Sequence, residues 1–212
     1  GLWKYAVLPL GKSIPDSFEG DILVPFAVES SLSGVGKTLG EDKELWYQRE
    51  FVIPSKWRGK RILLHFGAVD WKTEVWVNNI KVGEHTGGFT PFSFDITPAL
   101  LNGENELIVK VWDPTDKGPQ PRGKQVSKPG GIWYTPVSGI WQTVWLEPVP
   151  IRSIVNIKTT PDIDRNKLTV EVMTDHQMLS DKLEVKVLEG KQLVAVGSSV
   201  NGIPVEIAMP SD

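Results

Sequence analysis

In the segment EVWVNNIKV, residues 74–82, two pairs of alternate apolar residues, Val75 with Val77 and Ile80 with Val82, flank a pair of asparagines. Alternation with a period of two is typical of β-strands, because successive side chains of a strand point to opposite faces of the sheet. Asparagine tolerates the positive φ angles that a two-residue hairpin turn requires. The segment therefore predicts a β-hairpin with its turn at Asn78 and Asn79.

Short alternating runs of the same kind recur along the first 150 residues. They place apolar side chains on one strand face in three further groups: Ile62, Leu64 and Phe66; Leu107, Val109 and Val111; and Trp141, Thr143 and Trp145. Helical signals are few, and only residues 95–101 fit a single helical turn, with Thr97 as N-cap and Pro98 at the first position. We expect an all-β chain with Trp76, Trp141 and Trp145 in its core.

A boundary is predicted at Pro148-Val149-Pro150, because prolines directly after a strand make a stiff linker. All 9 Trp and all 7 Phe precede it, and the alternating runs at 168–172 and 183–187 follow it. We predict a first domain over residues 1–148 and an immunoglobulin-like sandwich over 149–212. The second is shorter than the roughly 100 residues of a complete immunoglobulin domain. We therefore expect a partial sandwich with open edges, ending where a longer protein would continue.

Composition excludes several classes of function. The net charge of the 212 residues is −3, with both signs interspersed, so neither a nucleic-acid partner nor attraction to a membrane is expected. No apolar run reaches the length of a membrane-spanning helix. The chain has no cysteine, which excludes disulfides, zinc–thiolate sites and a cysteine nucleophile.

The long connection between the strands around Val109 and Val144 is the best candidate for a binding surface. Long loops without secondary structure are uncommon in compact domains and are often functional. This one carries four basic residues and then two adjacent aromatic residues: Lys117, Arg122, Lys124, Lys128, Trp133 and Tyr134. Either these side chains form a polar and aromatic clamp on a hydroxylated or carboxylated ligand, or the basic stretch is simply solvated and the aromatic residues pack inward.

Catalytic residues are not predicted. The acids show no pairing that stands out, and the three histidines are far apart in sequence with neither metal-ligand spacing nor an obvious Ser or Asp partner. Glu29 and Asp70 are the most interesting carboxylates, and we expect both to hydrogen-bond the backbone of their own turns. No metal and no cofactor is predicted.

Several stretches together carry a resemblance to a known family. They are VPF at 24–26, ESSLSGV at 29–35, WYQR at 46–49, HFGAVD at 65–70, EVWVN at 74–78, GEHTGGFTPF at 83–92, PRGKQ at 121–125, GIWY at 131–134 and SGIW at 138–141. In content and order they resemble the N-terminal sugar-binding domain of glycoside hydrolase family 2, which includes β-galactosidases, β-glucuronidases and β-mannosidases. The resemblance covers residues 2–150, and 151–212 are similar to the start of that family's immunoglobulin-like domain.

The resemblance implies a jelly-roll domain of galactose-binding-like fold, then the sandwich, then a TIM barrel that supplies both catalytic glutamates. It implies carbohydrate and the chain's own barrel as partners. It places the segment before Ser138 at the rim of the sugar pocket, where β-galactosidases of the family carry an aspartate that helps to bind sugar and a monovalent cation. Residues 129–134 contain no acid, so neither that metal nor a strict galactose preference is expected.

The substrate-binding residues that we predict are Arg122, Lys124, Trp133 and Tyr134, with Asp42 as a loose match to another sugar-contacting position. The function expected from the resemblance is that of the non-catalytic N-terminal part of an exo-glycosidase, inactive alone and periplasmic or secreted by analogy. Two alternatives stay open: a free-standing carbohydrate-binding module or lectin, and a purely structural or adhesive sandwich.

Overall fold

The computed structural model describes residues 1–176, 178 and 180–210 of the chain. These residues are 51% strand and 4% helix, which confirms the predicted all-β fold. They form two compact units, Gly1–Pro148 and the residues from Val149 onward. Within the described residues, no helix has the length and apolar character needed to cross a membrane.

The first unit contains eleven strands and three short 3-10 helices, and all of its residues are described. The helices are Ser31–Ser33, Ser55–Trp57 and Thr97–Ala99. The strands are β1 (Leu2–Pro9), β2 (Gly20–Leu23), β3 (Lys43–Val52), β4 (Arg61–Phe66), β5 (Val69–Asp70), β6 (Lys72–Val77), β7 (Ile80–Thr86), β8 (Phe92–Asp95), β9 (Glu104–Trp112), β10 (Gly139–Ile140) and β11 (Val144–Val149), the last ending at the boundary.

These strands form a sandwich. One sheet has the antiparallel order β2-β1-β3-β9-β6-β7, and the other has the order β11-β4-β8, with the short pair β10-β5 beside them. The core between the sheets takes the alternating side chains that the sequence predicts, including Ile62, Leu64 and Phe66 of β4 and Val109 of β9. Burial of each such side chain contributes about 1.5–3 kcal/mol, so this alternation fixes the strand register.

The predicted hairpin is confirmed, because β6 and β7 pair across Asn78 (φ 50°) and Asn79 (φ 64°). The predicted helical turn is also present as Thr97–Ala99, but its N-cap is Ile96 and not Thr97. The hydroxyl of Thr97 is occupied elsewhere, since it accepts a hydrogen bond from the Ile62 amide at 2.8 Å. The prediction of Thr97 as N-cap failed because Ile62, which contacts its hydroxyl, is 35 residues away in sequence.

Two of the three tryptophans predicted in the core, Trp141 and Trp145, do not belong to it. Trp76 is half-buried and stacks on Trp46, but Trp141 is half-buried outside the strands and Trp145 is 44% exposed. Strand β11 begins only at Val144, whose side chain packs inward with that of Leu146. Trp145 therefore points outward, where its ring stacks on His65 with centroids 4.7 Å apart.

The second unit also consists of antiparallel strands. Strands β12 (Ile154–Asp162), β13 (Lys167–Thr174) and β16 (Val205–Ala208) form one sheet, and β14 (Lys182–Glu189) and β15 (Gln192–Val200) form the other. Among its described residues, the buried core is small and consists of Val170, Val205 and Ile207, with partly buried apolar side chains around them. Apolar side chains of β12, such as Ile154 and Ile157, stay exposed.

Candidate functional site

The connection between β9 and β10, residues 113–138, is called here the binding loop after its predicted role, and it is ordered by its own hydrogen bonds. The Tyr134 amide donates to the Lys124 carbonyl at 2.8 Å, and the Tyr134 carbonyl accepts from the Val126 amide at 3.1 Å. A turn from Gly130 to Trp133 closes the tip, where Gly131 has a φ of 60°. That left-handed conformation favours glycine. The binding loop is therefore a defined surface.

The binding loop presents two aromatic rings to solvent, each beside a cation. Trp133 is 44% exposed and Tyr134 is 62% exposed. The Arg122 guanidinium carbon lies 6.0 Å from the centroid of the Trp133 ring, and the Lys124 ammonium lies 5.6 Å from that of Tyr134. Such cation–π pairs stabilise exposed rings by about 0.5–1 kcal/mol. The rings are thus held on the surface by charged neighbours.

Ser138, at the C-terminal end of the binding loop, is held by two carboxyl groups, an arrangement called here the Ser138 clamp. Glu29 accepts a hydrogen bond from the Ser138 backbone amide at 2.9 Å. Asp113 accepts one from the Ser138 hydroxyl at 2.7 Å and another from the Thr115 amide at 2.8 Å. Because Asp113 begins the binding loop and Ser138 ends it, the clamp fixes the two ends together.

The two residues after Ser138, Gly139 and Ile140, contact the side chain of Tyr47 of β3. Its side chain is completely buried, and its hydroxyl accepts a hydrogen bond from the Ile140 amide at 3.1 Å. Gly139 has a φ of 88°, and a Cβ atom there would lie 2.1 Å from the Tyr47 oxygen. Only glycine fits this position, for steric and conformational reasons together.

Three largely buried carboxyl groups, those of Glu29, Asp70 and Asp113, lie next to the binding loop or at its start. Burial raises the pKa of Glu29 and of Asp70 to about 7, and it also raises the pKa of Asp113. The charge of Asp113 adds to the shift of both other groups. Among the residues that the structure describes, the buried oxygen Oε1 of Glu29 finds no hydrogen-bond partner. The environment of the cluster therefore shifts all three members towards the protonated form.

Asp70 is 4% exposed and connects this cluster to the binding loop. Its carboxylate hydrogen-bonds the Gln125 side chain, whose Oε1 accepts from the Val137 amide at 2.5 Å. The peptide bond between Asp70 and Trp71 is cis. Gly88 lies against the same carboxylate, since a Cβ there would come within 2.6 Å of Asp70 Oδ1. The carboxylate is thus packed between the middle of the binding loop and the chain after β7.

Residues 35–150 match the family model described as the sugar-binding domain of glycosyl hydrolases family 2. The chain belongs to family 2 of the glycosyl hydrolases. The matched range contains β3 to β11, the whole binding loop, and all five residues that the sequence predicts to bind substrate.

Relatives of this family 2 chain are glycosidases. It is 38% identical over 104 residues to a β-galactosidase of Thermoanaerobacter pseudethanolicus, covering 48% of this chain and 13% of that protein. It is 30% identical over 180 residues to the β-glucuronidase of Rattus norvegicus, covering 74% of this chain and 28% of that protein. The chain thus spans less than a third of the length of these two curated relatives.

A solved β-glucuronidase from Ruminococcus gnavus, in complex with C6-substituted uronic isofagomine, has the same fold. It aligns with all of this chain at a TM-score of 0.73 and 23% identity, and the alignment covers 38% of that protein.

Four of the five residues predicted to bind substrate come together in this family 2 domain. Arg122 and Lys124 lie beside the exposed rings of Trp133 and Tyr134. Asp42 lies in the turn before β3, where the carbonyl of its neighbour Glu41 accepts a hydrogen bond from the Trp112 indole at 2.8 Å. Among the described residues, no hydrogen bond or ion pair joins the Asp42 carboxylate to the binding loop. Their role in binding substrate stays a prediction.

The expectation that Glu29 and Asp70 hydrogen-bond the backbone of their own turns holds for Glu29, whose carboxyl group hydrogen-bonds its own backbone amide, but both side chains also make long-range contacts. Glu29 reaches the Ser138 amide, and Asp70 reaches Gln125. Sequence reasoning also missed Asp113, Tyr47 and Ser138. The one available signal was an aspartate directly after β9, because a polar residue at a strand end can hold the loop that follows. In the described part of the chain, no three His, Asp or Glu side chains are grouped so as to hold a metal ion.

Proposed function

We propose that this chain is the non-catalytic, sugar-binding N-terminal part of a family 2 exo-glycosidase. In this proposal the binding loop presents Trp133 and Tyr134 at the rim of a sugar pocket whose catalytic carboxylates lie in a barrel beyond residue 212. The observation that carries the proposal is the pair of exposed rings on a loop with both ends fixed. The names of its relatives, β-galactosidase and β-glucuronidase, support glycoside hydrolysis as the activity of the whole protein.

The chemistry of the binding loop suits a sugar. An aromatic face packs well on the C–H face of a pyranose ring, and the Arg122 guanidinium can donate to sugar hydroxyl or carboxylate oxygens. A loop that is already ordered loses little conformational freedom when ligand binds, so more of the contact energy remains as affinity. The Ser138 clamp and the Tyr47 hydrogen bond supply that order.

The carboxylates described here support a structural role. Glu29 and Asp113 accept hydrogen bonds from Ser138, and Asp70 is almost completely buried against Gln125. A glycosidase needs one carboxylic acid and one carboxylate facing the same scissile bond. We therefore assign hydrolysis to another part of the protein.

The test is a pair of tryptophan variants in the full-length enzyme. Trp133→Ala removes a ring of the binding loop, and Trp145→Ala removes a ring of equal exposure, 44%, from strand β11. We expect the first variant to lower kcat/KM on nitrophenyl glycosides about tenfold, since 1–2 kcal/mol of aromatic contact is lost. The second variant should change it less than about twofold. Equal effects of both variants would contradict the proposal.

A free-standing lectin is the second candidate, because the exposed aromatic pair could bind sugar without a barrel. Calorimetry on the chain 1–212 with galactose, glucuronic acid and mannose separates the two. A Kd below about 1 mM for any of them would favour the lectin. Turnover of nitrophenyl glycosides by the pure chain would rule out a non-catalytic role altogether.

A further inference from the structure

A groove with a volume of about 760 Å³ lies in the first unit, away from the binding loop. One wall comes from the connection between β3 and β4, with Ile53 and Trp57, and the other from the segment that leads into β9, with Leu100 and Leu101. It is called here the basic groove, because its charged lining residues are Arg58 and Lys60 and its lining includes no acid.

The basic groove and the binding loop lie at opposite ends of strand β9. Asn102 and Gly103 line the groove just before the strand begins, and Asp113 opens the binding loop just after it ends. A nine-residue strand is about 30 Å long, at 3.4 Å per residue. No sugar ring bound at Trp133 reaches the groove, so the groove is a separate surface.

The positive charge at the groove is not neutralised by the protein. Lys56, Arg58 and Lys60 alternate along five residues and are exposed, and among the described residues none of their side chains has an ion pair or a hydrogen bond. The next residue differs, since Arg61 pairs with Asp95 at 2.8 Å. In a chain with a net charge of −3, the two unpaired cations that line the groove, with Lys56 beside them in sequence, are a local concentration of positive charge. Such a groove attracts an anionic ligand.

The remaining lining of the groove has the mixed character of a saccharide site. Trp57 is half-buried and packs against the core, so its position is fixed. Ile53 and Leu100 add partly buried apolar surface, and exposed Ser55 and Asn102 offer hydroxyl and amide groups. Apolar surface with a few polar groups is the usual lining of ligand sites of about 300–1,000 Å³.

We infer that the basic groove is a second carbohydrate site, which takes an acidic oligosaccharide. The C–H faces of the oligosaccharide pack on Trp57 and the aliphatic side chains, and the acidic groups of the oligosaccharide pair with Arg58 and Lys60. The site is independent of the binding loop, so it would hold an acidic polysaccharide while another sugar occupies the pocket at Trp133. The shared ligand chemistry is a pyranose chain bearing carboxylate or sulfate groups.

The test uses the chain 1–212 and calorimetric titration with trigalacturonic acid, with neutral maltotriose for comparison. We expect the acidic trisaccharide to bind and the neutral one to bind at least tenfold more weakly. The variant Arg58→Gln/Lys60→Gln should weaken binding of the acidic trisaccharide at least tenfold. The matched variant Lys12→Gln/Lys43→Gln, which removes two exposed lysines elsewhere, should leave it unchanged within twofold. Binding should also weaken between about 50 and 200 mM salt.

NMR locates the bound sugar. In the ¹H–¹⁵N spectrum we expect the indole signal of Trp57, assigned with Trp57→Phe, to shift with trigalacturonic acid while that of Trp133 stays in place. Trp133→Ala should not alter binding of this probe, so failure here is distinct from failure of the proposed pocket function. Binding of a sulfated maltotriose, which bears no carboxylate, in place of the uronate would support the site and identify sulfate as the acidic group.

Four results would overturn the inference. They are absence of binding by both acidic sugars, equal affinity for maltotriose, unchanged affinity in Arg58→Gln/Lys60→Gln, and equally tight binding of a ten-residue glutamate peptide. The last would identify the groove as a docking surface for acidic protein segments.

Discussion

The carboxylate of Glu29 and the backbone amide of Ser138 are hydrogen-bonded at 2.9 Å although 109 residues separate them in sequence. The bond joins the segment after β2 to the end of the binding loop. Glu29→Ala would leave the Ser138 amide without its partner, at a cost of about 1–3 kcal/mol in the free energy of unfolding. Glu29→Gln keeps an acceptor and should cost less. Urea unfolding measures both, and Glu50→Ala, at an exposed position of β3, should change stability by less than about 0.5 kcal/mol.

Tyr47 gives a second prediction about the anchoring of the binding loop. Tyr47→Phe removes the buried acceptor of the Ile140 amide but keeps the ring in the core. We expect the free energy of unfolding to fall by about 1–3 kcal/mol, because a buried amide loses its hydrogen bond. Tyr134→Phe makes the same chemical change at an exposed position and should cost less than about 0.5 kcal/mol. Similar losses in both variants would show that Tyr47 does not anchor the loop.

Stability should depend on pH through Glu29 and Asp70. The pKa of each rises to about 7 in the folded chain, from 4.5 for Glu29 and 3.8 for Asp70. The folded state therefore holds protons that the unfolded state has lost at intermediate pH. The resulting stabilisation is fully present below about pH 4 and is lost as the pH rises through 7. For Glu29 alone it is on the order of 3 kcal/mol.

The measurement is the difference in free energy of unfolding between wild type and Glu29→Gln at several pH values. Wild type should lose stability relative to the variant between about pH 4 and pH 8. Burial lowers the pKa of His85, which acts in the opposite direction by removing stability at low pH, but His85 is present in both proteins and cancels. A pH-independent difference would mean that Glu29 titrates normally.

The two asparagines of the hairpin turn, Asn78 and Asn79, have different roles. The Asn78 amide donates to the Ala99 carbonyl and to the Asn105 side chain, both at 2.8 Å, and its oxygen accepts from the Glu106 amide at 3.0 Å. Asn78→Ala should therefore cost about 2–4 kcal/mol. Asn79→Gly should be neutral or slightly stabilising, because glycine adopts its φ of 64° without strain. Thermal unfolding compares the two, and equal destabilisation would contradict the assigned roles.

Local patterns predicted most of the fold. Alternation identified the strands that contribute Ile62, Leu64 and Val109 to the core, and Asn78-Asn79 identified the turn, because each of these features depends on neighbours in sequence. Trp145 was misplaced because the strand face that carries it was assigned to the core, whereas Val144 and Leu146 of the opposite face pack inward. An aromatic residue fits either face of a strand, so its type could not correct the error.

The candidate site was predictable only in part, for a related reason. The exposed rings and their cations lie within thirteen consecutive residues of one loop, so composition indicated them. The Ser138 clamp joins residues 29, 113 and 138, and no short-range pattern reports such a contact. Buried carboxylates are also rare, so the sequence pattern predicted that Glu29 and Asp70 would be turn residues at the surface.

The left-handed backbone of Gly139, closed against Tyr47, has a consequence for redesign of the protein. A library that randomises only the outer part of the loop, residues 128–136, changes its exposed rings while every member keeps Gln120, Gln125 and both loop ends as fixed attachment points. Randomising Gly139 or Ser138 would instead yield clones lost to misfolding. Engineering of this domain can therefore vary the residues at the tip of the loop and keep the residues at its two ends unchanged.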